Sequence, residues 1–179
     1  MEGVSCSLKF RFKLKEGEAK IIREINESTG FFNEEEDETI EELATEHLEK
    51  GAEESGYSFV VAEADGKAVG FSCYGHIYGT DSSYNLYWIA VCKSQAGKGI
   101  GKKLMKMTED RIRKDGGMHI YVETASKPQY EPTRQFYIKQ DYLEIGRFPD
   151  FYADGDAKIT YYKTFKKEGE KIIFKKKLA

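Results

Sequence analysis

Polar and apolar residues alternate from Ser7 to Leu14, with Leu8, Phe10, Phe12 and Leu14 on one side and Lys9, Arg11 and Lys13 on the other. A period of two predicts a strand with one buried face. From Glu18 to Glu27 the period becomes helical, carried by Ile21, Ile22 and Ile25. A second helix is predicted from about Glu35 to Lys50 through Ile40, Leu43, Ala44 and Leu48, with Gly51 as its stop. Tyr57 to Ala64 and Lys67 to Ile77 read as strands on either side of Asp65-Gly66, a dipeptide suited to a two-residue hairpin. A further turn at Gly79 to Ser83 leads into Leu86-Tyr87-Trp88-Ile89-Ala90-Val91, whose aromatic and β-branched residues predict a buried strand.

Downstream, Ile100, Leu104, Thr108 and Ile112 share one helical face, and Gly116-Gly117 should end that helix. His119 to Glu123 reads as a short strand and Pro132 to Gln140 as a short helix bearing Phe136 and Tyr137. Tyr142 to Phe148 and Lys158 to Phe165 are the last strands, joined by a connection from Pro149 to Asp156. The order is β-α-α-β-β-β-α-β-α-β-β, which predicts a mixed α/β (α+β) fold with a central sheet of about seven strands flanked by helices. No internal repeat or linker interrupts it, so one domain is expected over residues 1–166, followed by a basic tail over 167–179.

Composition narrows the function classes. The chain has 179 residues, 40% of them hydrophobic, enough for one sizeable core. A charged content of 33% and a net charge of −3 describe a soluble protein not built to neutralise a nucleic-acid backbone. Glu34 to Glu54 is strongly acidic and Lys158 to Lys177 lysine-rich, and a solvated surface is the expected reading of that basic segment. Cys6, Cys73 and Cys92 form no C-x-x-C pair, and His47, His76 and His119 are scattered, so neither a disulfide framework nor a metal site is expected. No apolar signal core or membrane-length run is present, and a cytoplasmic setting without membrane contact is expected.

The chemistry concentrates at Gln95-Ala96-Gly97-Lys98-Gly99-Ile100-Gly101-Lys102-Lys103, directly after the buried strand. A glycine loop between strand and helix presents free N–H groups at the positive end of the helix dipole, a good seat for phosphate. A P-loop would need glycine at Ala96 and a hydroxyl at Lys103. The dinucleotide fingerprint fails as well, because Gly97, Gly99 and Gly101 are spaced by two throughout. What remains, Q-x-x-G-x-G after a strand, resembles the acetyl-CoA pyrophosphate loop of the GNAT superfamily of N-acetyltransferases. The element order is that of the same family, so the resemblance spans nearly the whole chain. A second anchor is the run from Tyr130 to Tyr142, which is similar to the family pattern N-x-x-A-x-x-[LF]-Y-x-x-x-G-[FY]. Phe136, Tyr137 and Tyr142 match it, whereas Tyr130, Thr133 and Asp141 replace asparagine, alanine and glycine.

The resemblance implies a GNAT fold, acetyl-CoA as co-substrate with no metal, and direct transfer to a primary amine through a tetrahedral intermediate. It sets Ile89, Ala90 and Val91 beside the pantetheine arm, with the Val91 N–H as oxyanion donor. Gln95, Ala96, Gly97, Lys98, Gly99, Ile100, Gly101 and Lys102 would surround the pyrophosphate. Tyr130, Thr133, Phe136 and Tyr137 would line the helix side, with Tyr137 as the acid that protonates the leaving thiolate. Glu123 is the candidate base, with a binding counter-charge as the other role. Cys92 could serve as an acyl carrier but reads better as a small core residue. The acceptor is expected against Phe31 and Phe32, Asn85 and Tyr87, and Asp150 and Tyr152, where rings and carboxylates suit a cation. It could be a small amine, an amino acid or peptide, or a protein amine, and a homodimer is among the assemblies left open. The alternative is a GNAT-fold module that senses acyl-CoA without turnover.

Overall fold

The run Phe59-Val60-Val61-Ala62 is buried at every position, which a strand tolerates only when both of its faces are covered. That condition sets the layers of the fold. The computed structural model describes residues 7–165, so the expected tail over 167–179 lies outside the described residues. Its elements are β1 (Leu8–Arg11), α1 (Glu18–Thr29), α2 (Glu34–Ser55), β2 (Ser58–Ala64), β3 (Lys67–His76), β4 (Ser83–Val91), α3 (Ile100–Lys114), β5 (His119–Ala125), α4 (Glu131–Lys139), β6 (Leu143–Ala153) and β7 (Asp156–Thr164). Short 3₁₀ turns at Lys93–Gln95 and Pro128–Tyr130 lead into α3 and α4.

The seven strands form one sheet in the order β1-β2-β3-β4-β5-β7-β6. Every neighbouring pair is antiparallel except β4 and β5, which run parallel. On one face Ile22, Ile25, Ile40 and Ala44 from α1 and α2 pack on Phe59, Val61 and Phe71. On the other, Leu104, Met105 and Ile112 of α3 and Tyr137 of α4 pack on Val60, Ala62, Ile120, Val122 and Ile159. Asp65 and Gly66 have φ of 49° and 81°, the positive pair that a type I′ hairpin turn demands.

Four of the boundaries that differ from the sequence expectation have a plain local reason. β1 pairs with β2 only over Leu8–Arg11, and the guanidinium of Arg11 then folds back onto the Lys13 carbonyl and Glu18, turning the chain toward α1. Gly51 bends the second helix instead of ending it. Its φ of 76° is not helical, yet a last turn continues to Ser55, where the Gly56 N–H closes on the Ala52 carbonyl. β5 runs on to Ala125 because β7 pairs with it that far. β6 continues past Pro149 to Ala153, bulging between Phe148 and Ala153, since a proline at the sheet edge leaves no partner short of a donor. The expected Pro149–Asp156 connection therefore contracts to a tight turn at Asp154-Gly155.

Candidate active site

Pairing between β4 and β5 stops early: Ser83–Leu86 lie opposite His119–Val122 and nothing beyond them pairs. After that point β4 stays with β3 and β5 with β7, so the two parallel strands part. The β3–β4 register shifts between Cys73 and Tyr74, leaving Tyr87 as an extra residue in β4. A bulge of that kind bends its strand and turns it away from the neighbour. Between the parted strands opens a cleft of about 1390 Å³.

Backbone polarity in the cleft follows from the ladder. The Cys92 N–H donates to the Val69 carbonyl at 2.8 Å, which makes these two residues a bonded pair. Antiparallel ladders alternate bonded and non-bonded pairs. Val91 opposite Gly70 and Ile89 opposite Ser72 therefore turn their N–H and C=O groups away from β3, into the cleft. Ala90, opposite Phe71, spends its backbone groups on β3 and can offer only its surface.

At the end of β4 the 3₁₀ turn consumes two amides: Gln95 N–H donates to the Cys92 carbonyl and Ala96 N–H to Lys93. Gly97 and Gly99 then adopt φ of 77°, a conformation side chains rarely take, and Gly99 caps α3. No side chain caps this helix, so the N–H groups of its first turn are left for a ligand. Lys98 is held in the loop by its Nζ donating to Gln95 Oε1 at 2.8 Å. Ala96 and Gly101 reach the cleft lining, whereas Ile100 buries its side chain in the core. Gln95, Gly97, Lys98, Gly99 and Lys102 lie outside that lining.

On the opposite wall stand Thr133, Phe136 and Tyr137 of α4. The Tyr137 ring packs among Phe136, Tyr142 and Tyr161, with centroids 5.7, 6.0 and 5.7 Å away. Burial, and then the neighbouring Tyr161, raise its phenol well above the ordinary tyrosine range. It stays protonated while still lining the cleft. Asp141, where the family pattern has glycine, takes φ of 64°, a left-handed conformation that aspartate tolerates better than most residues.

Glu123 sits where β5 leaves β4, and its carboxylate is half-exposed and ion-paired with Lys158 Nζ at 3.2 Å. The Lys158 ammonium also lies over the rings of Phe151 and Phe148, 4.2 and 5.1 Å from their centroids. Phe31, Phe32, Asn85, Tyr87 and Tyr152 all line the cleft, joined by Glu35, Glu36 and Trp88. Asp150 does not. At φ of 54° it accepts the Gly155 N–H at 2.8 Å and holds the β6–β7 turn. Tyr130 lines the cleft, but its hydroxyl donates to the Phe31 carbonyl at 3.2 Å. Cys92 lies outside the lining, its sulfur 3.3 Å from Ser94 Oγ.

A family model described as Acetyltransferase (GNAT) family matches residues 20–142, from α1 through the end of α4. The chain belongs to the GNAT acetyltransferase family. Among solved structures it is similar to a protein from Desulfovibrio desulfuricans assigned as a GNAT-family acetyltransferase, with 37% identity over 88% of this chain and 99% of the other, at a TM-score of 0.86. More distant members share the fold. An aminoglycoside 6'-N-acetyltransferase complexed with coenzyme A is 18% identical over 88% and 96% of the two chains, at a TM-score of 0.67. The PaiA N-acetyltransferase from Thermoplasma acidophilum, also in complex with coenzyme A, is 20% identical over 89% and 99%, at 0.68. No curated protein matches.

Several residues around this cleft carry no local sequence signal. Trp88 donates to Asn26 Oδ1 at 2.8 Å, Asn26 donates to Asp37 Oδ1 at 2.8 Å, and Phe32 packs against the indole at 5.3 Å. That buried chain ties α1, α2 and the aromatic rim to β4. Arg134, nearly buried, donates to the carbonyls of Ala125 and Lys127 at 2.8 and 3.0 Å and fastens α4 to the end of β5. Lys158 is found only through the pairing of β5 with β7. Among the described residues no His, Cys, Asp and Glu group could hold a metal, and no helix is long and apolar enough to cross a membrane.

Proposed function

We propose that this protein is an acetyl-CoA-dependent N-acetyltransferase that moves the acetyl group directly to a primary amine. The observation that carries the reading is the convergence on one cleft of an outward-turned Val91 N–H, an uncapped α3 N-terminus behind two left-handed glycines, and a buried, protonated Tyr137. The uncapped amides fit a pyrophosphate. The backbone groups of Ile89 and Val91 fit the amides of a pantetheine arm, as an added strand would. Relatives of the same fold solved with coenzyme A agree with that use.

The chain's own groups divide the work. The Val91 N–H stabilises negative charge on the thioester oxygen as the amine nitrogen attacks the carbonyl carbon. Glu123, directly or through water, takes the proton that the ammonium must lose before it can attack. When the C–S bond breaks, the Tyr137 hydroxyl gives its proton to the departing sulfur. The burial that raises the phenol also disfavours a bare thiolate in the same pocket, so the proton moves as the charge develops. Phe31, Phe32, Tyr87 and Trp88 with Glu35 and Glu36 suit a cationic acceptor. The free thiols of Cys73 and Cys92 fit a cytoplasmic setting.

The sensor reading has one observation in its favour: Glu123 already has a cation at hand in Lys158. Thiol release from acetyl-CoA across polyamines, amino acids, aminoglycosides and peptides separates the two. Amine-dependent release with at least one class is expected. Tight acetyl-CoA binding with no release across the panel would establish the sensor.

A further inference from the structure

The wide end of the cleft is bridged. Gln129 Nε2 and Tyr130 Oη, in the turn that follows β5, both donate to one acceptor, the Phe31 carbonyl, each at 3.2 Å. Phe31 belongs to the α1–α2 loop, which is fixed to the β4 wall through Phe32 stacked on Trp88 and through the Trp88–Asn26 hydrogen bond. The loop is stiff at both ends. Gly30 closes α1 at φ of 71°, and Asn33 with Glu36 forms a reciprocal capping box on α2. The two strands thus meet at the narrow end through Leu86 and Val122, and at the wide end through a clasp of two side chains on one carbonyl.

Whatever lies between β4 and β5 is therefore encircled. On the reading that this cleft takes acyl-CoA, the pyrophosphate seat lies at the C-terminal end of β4, outside the ring, and the acyl arm runs within it. We propose that Gln129 and Tyr130 are positioning residues that hold the Phe31 loop as a strap across the acyl arm of the co-substrate. They retain it during transfer and make opening of the strap part of coenzyme A release. Neither side chain needs to touch the reacting atoms. Each acts through the Phe31 carbonyl.

The test compares coenzyme A with its nucleotide half, the 3′-phosphorylated ADP that lacks the pantetheine arm. Trp88, the single tryptophan of the chain and a cleft residue, supplies the fluorescence signal for stopped-flow displacement. In the Gln129→Ala/Tyr130→Phe double variant, coenzyme A should dissociate roughly tenfold faster, the factor expected on losing two modest hydrogen bonds. Dissociation of the nucleotide half should be unchanged. The single variants, each keeping one donor, should fall between and cover the case of a double variant that folds poorly. An unchanged coenzyme A rate, or equal acceleration of both ligands, overturns the strap while leaving the acetyltransferase reading intact. Failure of the unmodified protein to bind either ligand overturns both.

Discussion

Tyr137 keeps its proton because ionising it would strand a charge among Phe136, Tyr142 and Tyr161. Tyr137→Phe preserves that packing and removes only the donor. It should lower kcat at least about tenfold, roughly 1.4 kcal/mol of barrier, with little change in KM for acetyl-CoA. A variant turning over at the unmodified rate would hand the proton to water. The same burial has a stability consequence. Tyr137 and Tyr142 both have raised phenol pKa values in the folded state, so the unfolded chain loses these protons first. Stability should be flat with respect to these groups below their ordinary value of about 10, then fall as pH rises above it. Urea titrations at pH 9 and above pH 10 should separate the unmodified protein from Tyr137→Phe, whose loss should be smaller. Glu123→Gln removes the carboxylate and leaves the Lys158 ammonium without its partner on the cleft wall. Activity should fall most near neutrality and partly recover at alkaline pH, where the acceptor deprotonates itself. An unaltered pH–rate profile would remove Glu123 from the base role, and a raised acceptor KM at constant kcat would leave it as a counter-charge.

At the scale of elements, the site exists because two secondary-structure rules are broken in adjacent places. β4 and β5 stop pairing after four residues each, and α3 begins without a side-chain cap. Gly99 holds the second of these at φ of 77°. Gly99→Val puts a β-branched residue where its backbone is strained by about 1–2 kcal/mol or more, which must reshape the loop. Acetyl-CoA affinity by calorimetry should drop at least about tenfold while the melting transition stays cooperative, and equal affinity would refute the phosphate seat. This loop was legible in the sequence because its glycines recur at every second position and follow an apolar run. The element order was legible too, since amphipathic periods survive in a single chain. The bulge at Tyr87 was not, because an extra residue in a strand looks like any other until its partner is known. Nor was the edge course of β6 through Pro149, which composition presents as a loop. Trp88–Asn26–Asp37, Gln129 and Tyr130 on Phe31, and Lys158 beside Glu123 join residues far apart in sequence, and no local spacing encodes such contacts.

For the whole molecule, the sheet is a frame of seven strands that parts between β4 and β5. α1 and α2 cover one face, α3 and α4 the other, and the gap between β4 and β5 joins the uncapped start of α3 to an aromatic, acidic rim. On the proposed function, such a frame would bring a thioester and an amine together directly, with no covalent stop on the protein. Cys92, the one cysteine near the loop, lies outside the cleft lining, and Cys73 is fully buried with its thiol pKa pushed up by that burial. Rapid-quench single turnover followed by intact-mass spectrometry tests this most directly. Protein loaded with acetyl-CoA should keep its own mass. On mixing with an amine selected by the thiol-release panel, it should yield free thiol and acetylated amine together, in one phase and in equal amounts. A protein that gains an acetyl group before the amine arrives, or that releases no thiol after it does, would contradict direct transfer in this cleft.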